Sequence, residues 1–347
     1  MNHLSIAMLA LGTTACVGPD VRFDHVEQEI GCDPFFCGKG NSDVIDNMGL
    51  HDLNVKGEVN DTGFRLTKMV KGGVVFEPRV YASELYGYEV GGSAYLPPSE
   101  VVGAELVVEH DNQLTYLIKI QSIDESEYWG TPDSHVVQAT SYRLLWKEMK
   151  KGKWQNLCVE PPTPGHPDLR GNQPAYNAFL FEGDRIDERY KTFEDKPDDD
   201  WFNIGCMGHA LAKLHLTGHT QAAKRQRGFV SDLPERQTFL KMIVGDYCGS
   251  GQPFTVAGQP LDYMNASGTV KYASGGPLEI EARWNPDGAT CLNKPRVTAN
   301  ATPESDAAFP NGIEAAMLAA GCEPPPACHN DDDVWNLDGH YLNSANP

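Results

Sequence analysis

Cys248, in the stretch KMIVGDYCGSGQPFTVAG, is the residue of this 347-residue chain whose setting most invites a chemical reading. As a thiolate it would be a nucleophile, with His209, His215 or His219 upstream as its base. The local sequence opposes that. The residues before it read as a helix, and a helix C-terminus presents the negative end of its dipole. Asp246 adds another negative charge, and both hold the proton on the thiol. The competing reading makes Cys248 half of a disulfide. The histidines raise a second chemistry. In HALAKLHLTGH, His215 and His219 stand at the i, i+4 spacing that puts two metal ligands on one helix face. Gly218 interrupts that helix just before His219, and no Glu lies between the two as a base. His209 and His215 are about 120° apart on a helical wheel. The expectation is no metal, with His209 exposed and His215 beside the packed face.

Whether a thiol stays free depends on where the chain works. The stretch MNHLSIAMLALGTTAC carries a short apolar run, Leu4 to Leu11, then small residues and Cys16. The run is too short to span a bilayer and suits the apolar part of an export signal, although a basic start is missing. Small residues ahead of a cysteine also fit a bacterial lipid-attachment site. Residues 1–16 are therefore expected to be a leader and Cys16 to carry lipid; ordinary signal cleavage nearby is the alternative. Eight cysteines remain: Cys32, Cys37, Cys158, Cys206, Cys248, Cys291, Cys322 and Cys328. An even set in an exported chain points to disulfides, because that compartment is oxidising. No CxxC pair is present, and the spacings of Cys32/Cys37 and Cys322/Cys328 suit small disulfide loops better than zinc sites.

Charge narrows the partners. Acidic residues outnumber basic ones 48 to 28, a formal charge of −20, which repels nucleic acid and anionic lipid surfaces. The runs Asp198–Asp200 and Asp331–Asp333 lack the alternating ligands and glycine of a calcium loop and read as solvated turns. No P-loop, GxGxxG, GxSxG or HExxH motif occurs, and no cofactor is expected. An envelope protein or a glycan is the expected partner, with a membrane reached only through the lipid. Exposed tryptophans are candidates for stacking on sugar; Trp146 and Trp154 fall in strand-like runs and read as core.

The elements that must position these residues form an α+β chain. Residues 17–60 read as a surface extension. From 61 to 160 the runs GFRLTKMV, GVVFEPRVYASELYGYEV, GAELVVEH, QLTYLIKIQSI and SYRLLWKEM predict an antiparallel sandwich or curled sheet. The Pro/Gly-rich residues 161–174 read as a linker. A smaller disulfide-stapled part, 175–300, opens with a strand in AYNAFLFEGDRI and continues with helices at 206–217 and 233–247. Met207, Ala210, Leu211 and Leu214 form the inner face of the first, with His209 and Lys213 pointing away. Asp232 caps the second, with Glu235 three residues on, and Phe239, Leu240, Ile243 and Tyr247 face inward. A hairpin turning at Ala257-Gly258 and a strand in PLEIEARW follow. Residues 301–347 hold one short helix and a loose tail. Chain order then suggests the pairs Cys248–Cys291 and Cys158–Cys206, each joining a strand end to a helix end.

The segment DYCGSGQPFTVAGQPLDY resembles the signature of the bacterial ADYC domain family, named for an Ala-Asp-Tyr-Cys tetrapeptide. Gly245 stands in place of the Ala, while Asp246, Tyr247 and Cys248 match. CMGHALAKLHL, RQTFLKM, WNPDGATC, KWQNLC and GNSDVIDNMGLHDLNVKG resemble the flanking blocks, so the likeness covers most of residues 32 to 294. Many relatives carry two further cysteines at positions that here are Leu214 and Phe239. The resemblance implies that these two helices lie side by side, with apolar contact replacing a cross-link. It implies exported proteins without an assigned activity, and no catalytic residues. The leading expectation is a binding or structural module of the cell envelope; the alternative is a hydrolase using Cys248 or the His209/His215/His219 group.

Overall fold

The computed structural model describes residues 26–28, 43–46, 48–128, 138–158, 177–187, 189–227, 231–256, 259–265, 279–329 and 342–346. The expected leader with Cys16, the Cys32–Cys37 loop, residues 161–174, the 257–258 turn and the run 331–333 lie outside them.

The strand-like runs assemble into one eleven-stranded antiparallel sheet. In spatial order its strands are Asp52–Asn54, Asp198–Cys206, Asn177–Gly183, Gln138–Glu148, Thr115–Glu127, Glu105–His110, Phe64–Lys71, Val74–Tyr81, Glu84–Glu89 and Tyr95–Leu96. Gln155–Asn156 pairs with 138–148 off that path. Alternation sets the faces: Tyr116, Ile118 and Ile120 point inward while Leu117 and Lys119 are half-buried between them. The sheet curls until strand 52–54 lies against 64–71 and strand 198–206 against 74–81. A core that includes Leu66, Phe76, Val108, Ile118, Leu144, Leu180 and Phe202 fills the curl. Strands of this sheet come from both sides of residues 161–174.

A second, five-stranded antiparallel sheet runs in the order Val26–Gln28, Gln259–Asn265, Leu342–Asn346, Glu279–Asn285, Gly288–Leu292. Between the sheets lie α1 (Ala210–Leu216), α2 (Gln221–Arg227) and α3 (Leu233–Ile243). α1 packs on strands 198–206 and 177–183, α3 packs on strands 279–285, 288–292 and 342–346, and the two helices meet. Three short helices follow strand 288–292: α4 (Arg296–Ala299), α5 (Pro303–Ala308) and α6 (Ile313–Ala319). No helix among the described residues is long and apolar enough to cross a membrane.

Strand 177–183 is buried at every residue. Ala178 and Leu180 enter the core of the curled sheet, and Phe179 and Phe181 enter a second core built on the helices. A strand covered on both faces has no polar side, which is why its sequence runs nearly continuously apolar.

The structure corrects several expectations. Residues 50–55 are buried rather than a surface extension, because strand 52–54 pairs with 198–206 at the sheet edge. Residues 254–256 form no strand; 259–265 pairs instead with 26–28 and 342–346. The expected single late helix is two, α5 and α6, separated by Phe309–Gly312. The expected loose tail contains the central strand of the second sheet, Leu342–Asn346, buried throughout.

Candidate functional site

α1 begins at Ala210 because Cys206 closes a strand and Gly208, at φ 89°, turns the chain into the helix. All of α1's apolar residues enter the helix core, and the helix keeps no solvent face: every residue from 210 to 216 is buried. Lys213 and His215, expected outside and at the margin, are both 0% exposed, and His209 is half-buried. Gly218 does end the helix, at φ 86°.

His215 Nε2 lies 3.2 Å from Ser83 Oγ and 3.0 Å from the Tyr128 hydroxyl; Nδ1 lies 2.9 Å from Thr220 Oγ1. The ring stacks on Phe181 at 4.9 Å. Ser83 reaches it from a two-residue hairpin turn in which Ala82 and Ser83 both have positive φ, 50° and 65°. The two turn amides donate to the buried Glu182 carboxylate at 3.0 and 3.3 Å, which holds that strained turn in place. A hydroxyl against an imidazole has the composition of a nucleophile–base pair. The surroundings remove the chemistry: both residues are fully buried, and the second ring nitrogen faces Thr220 rather than a carboxylate. Burial also pushes the His215 pKa down to about 3.

His219 belongs to a different stack, on Phe239 at 4.0 Å, with Nδ1 3.1 Å from Thr217 Oγ1 and Nε2 3.9 Å from Glu235 Oε1. Burial, aided by Arg236, lowers its pKa to about 3 as well. Among the described residues, no group of three or more His, Cys, Asp or Glu is arranged to hold a metal ion.

Both rings are neutral in the fold and take a proton near pH 6.5 when unfolded, so between about pH 6.5 and 3 the unfolded chain binds more protons. Their contribution is complete above that window and is lost as pH falls, at about 1.4 kcal/mol per pH unit for each ring. Asp184 and Asp262, raised by burial to about 6 and about 7, act in the opposite sense. His215→Gln should therefore flatten the acid side of the stability profile relative to the parent. Urea titrations between pH 6 and 4 read the slope; an unchanged slope would contradict the burial of a neutral ring.

The Asp-Tyr-Cys segment follows α3, which keeps its expected cap: Asp232 accepts from the Glu235 amide at 2.9 Å. α3 stops at Ile243, four residues before the expected end, because Gly245 takes φ 65°. Each residue of the segment then makes its own tie. Asp246 Oδ2 accepts from Lys241 Nζ and from the Gly251 amide, both at 2.7 Å. The Tyr247 hydroxyl donates to Glu281 Oε1 at 2.6 Å, and its ring stacks on Trp284 at 5.2 Å. Cys248 is bonded to Cys322, with Cα atoms 6.0 Å apart. Burial alone would raise the Glu281 carboxyl, but the Arg296 guanidinium, with help from Tyr247 and Ser344, holds it below the usual range. Burial drives the Tyr247 hydroxyl pKa well above normal, and Glu281 adds to it.

The other bonds are Cys158–Cys206, as chain order suggests, and Cys291–Cys328. The expected pair Cys248–Cys291 and the expected small loop Cys322/Cys328 are both corrected. The segment after α4 runs back over the second sheet, so its two cysteines meet two different partners. The glycines of CGSG have a steric reason. A Cβ on Gly249, at φ 67°, would stand 1.8 Å from the Asp287 carbonyl oxygen, and one on Gly251 would stand 2.0 Å from that of Arg189. Gly249→Ala should lower stability by about 2–3 kcal/mol; an unchanged melting temperature would contradict this close approach.

A family profile described as the ADYC domain matches residues 98–298. The chain belongs to the ADYC domain family. No curated protein and no solved structure matched it. The matched span takes in strands of both sheets together with α1–α3, and the Asp-Tyr-Cys segment of this ADYC domain is a buried junction among them. Leu214 and Phe239, where the resemblance implies cysteines in relatives, are both fully buried in the helix core.

The surface of the ADYC protein offers different chemistry. A polar cavity of about 410 Å³ borders Arg65, Glu109, His110 and Asp111. Its groups are engaged with one another: Arg65 donates to Glu109, and His110 lies 2.9 Å from the Thr62 carbonyl while accepting from the Asn112 amide. More distinctive is the outer face at the far edge of the large sheet. There the period of two puts Tyr86 and Tyr88 on one side of their strand, and Tyr88 pairs in register with Tyr95. Arg79 lies across from Tyr86, and Glu77 across from Tyr88. Tyr81 continues the row and is 57% exposed; Tyr88 and Tyr95 are 52% and 51% exposed. The alternation in ELYGYE was visible in the sequence, but it marked a strand without saying which face the core would take. The sought tryptophan platform is absent among the described residues: Trp146, Trp201 and Trp284 are buried, and Trp154 is half-buried beneath Lys119 and Lys147.

Proposed function

We propose that this protein is an exported, disulfide-braced binding module of the cell envelope, held there by lipid on Cys16, and that it works through its tyrosine-bearing sheet face. One contrast carries the reading. The residues equipped for catalysis are both engaged: Cys248, half-buried, is held in a disulfide and His215, fully buried, in a hydroxyl network, whereas the aromatic side chains at 81, 88 and 95 stand open to solvent. Three disulfides support an oxidising compartment. The small residues ahead of Cys16 support the anchor.

Two measurements test it. Cys16→Ser should move the protein from the membrane fraction to the soluble one while leaving its melting temperature unchanged; lipid labelling that persists in that variant would refute the anchor. Purified protein without its first 16 residues should bind isolated envelope fragments, and Tyr88→Ala/Tyr95→Ala should release it. Equal retention of the double variant would refute the tyrosine face, and turnover lost in Ser83→Ala would revive the hydrolase.

A further inference from the structure

We infer that the tyrosine face is a stacking site for an uncharged glycan, an inference that rests on the binding-module reading and names its ligand class. Scattered exposed aromatics are ordinary, but here they are contiguous. Tyr86, Tyr88 and Tyr95 have ring centroids 5.4–6.1 Å apart, a spacing comparable with the repeat of one sugar ring along an extended chain. The Tyr88 and Tyr95 rings, tilted 39° to each other, are each about half exposed, Tyr86 braces Tyr88 edge-on at 89°, and Val90 beside them is 62% exposed. Such rings present apolar faces to the C–H faces of a pyranose and hydroxyls at their rims.

The groups beside the rings weigh against an anionic ligand. Lys56 Nζ donates to Glu77 Oε1 at 3.1 Å, Arg79 donates to the same oxygen, and Arg79 Nη1 reaches Asp200 Oδ1 at 3.2 Å. Two cations and two anions balance one another in this chain of contacts, and Glu84, exposed and in register with Tyr81, adds one further negative charge to the face; the charged ends remain partly exposed and can bond sugar hydroxyls. An acidic polysaccharide would meet Glu84 on this face within a chain of charge −20, which disfavours it. Strand addition by a protein partner is disfavoured as well. The edge strand Tyr95–Leu96 is two residues long and runs into Pro97 and Pro98, which carry no N–H to extend a ladder.

Affinity electrophoresis of the leaderless protein reads this directly, through gels containing hydroxyethyl cellulose, glycol chitin or galactomannan, with alginate as the acidic control. The wild type should be retarded by at least one neutral polymer and not by alginate. Tyr88→Ala/Tyr95→Ala should weaken retardation roughly tenfold or more while keeping its melting temperature, and Tyr88→Phe/Tyr95→Phe should retain most of it. Retardation by alginate alone, equal retardation of the Ala variant, or tighter binding of a proline-rich decapeptide than of any glycan would overturn the inference. Failure of all three neutral gels while the Ala variant still loses envelope binding would sink the glycan and leave the binding module standing. Envelope binding that survives in that variant would sink both.

Discussion

Glu281→Gln is expected to destabilise the protein by about 3–5 kcal/mol, the loss seen when one partner of a buried ion pair is removed. Glu281 and Arg296 are both 0% exposed. Glu281 Oε1 accepts from Tyr247 at 2.6 Å, from Arg296 Nε at 2.7 Å and from the Arg296 amide at 2.9 Å. Oε2 accepts from Arg296 Nη2 at 2.9 Å and from Ser344 Oγ at 2.7 Å. Ser344 in turn accepts from Trp284 Nε1 at 2.8 Å. One carboxylate therefore gathers the Asp-Tyr-Cys segment, the start of α4 and the central strand 342–346. The Gln variant keeps the shape, leaves a guanidinium buried without its counter-charge, and turns an NH2 toward groups that also donate. Glu281→Leu combined with Arg296→Met should lose less than Glu281→Gln alone, because the orphaned charge is gone. Equilibrium urea unfolding measures both; a Gln variant within about 1 kcal/mol of the parent would be too mild for a buried pair.

Removing the Cys248–Cys322 bond ranks next. It spans 74 residues, and closing a loop of that length stabilises the fold by about 4 kcal/mol on the chain-entropy estimate. Cys291–Cys328, spanning 37 residues, is interleaved with it, so the two bonds constrain overlapping loops and their effects should not add. Cys248→Ala/Cys322→Ala should lower the melting temperature markedly and loosen the segment carrying α5 and α6. Binding at low temperature should survive, since the tyrosine face belongs to the other sheet. Non-reducing peptide mapping should recover Cys248 with Cys322 and Cys291 with Cys328. A Cys248–Cys291 peptide would overturn this connectivity.

The sequence announced some of this and concealed the rest for physical reasons. Strands 64–71, 74–81 and 115–127 were legible because one face meets a core and the other meets water, which writes a period of two. The α3 cap was legible because it needs only local chemistry. Lys213 and His215 misled because α1 is enclosed on every side by strands 177–183 and 198–206, α2 and α3, and an enclosed helix has no polar stripe to read. LNSAN at 342–346 looked like a tail since four of its five residues are small or polar; its burial depends on partners far away, such as Trp284 and Glu281. The cysteine pairs were half legible. Cys158–Cys206 follows chain order, whereas the other two bonds depend on a late segment doubling back, which no local pattern records. The tyrosine face needed the curl of the sheet to decide which side was outside.

Strand 177–183, with a different core on each of its faces, has a consequence for how the molecule comes apart. Removing the helices would strip Phe179 and Phe181 from the same peptide backbone that holds Ala178 and Leu180 in the curled sheet. Neither half can melt while leaving that backbone intact for the other, so the two cores behave as one cooperative unit rather than two foldons. A perturbation at the Asp-Tyr-Cys junction is thereby expected to lower the stability of the whole fold, the sheet that carries the tyrosine face included.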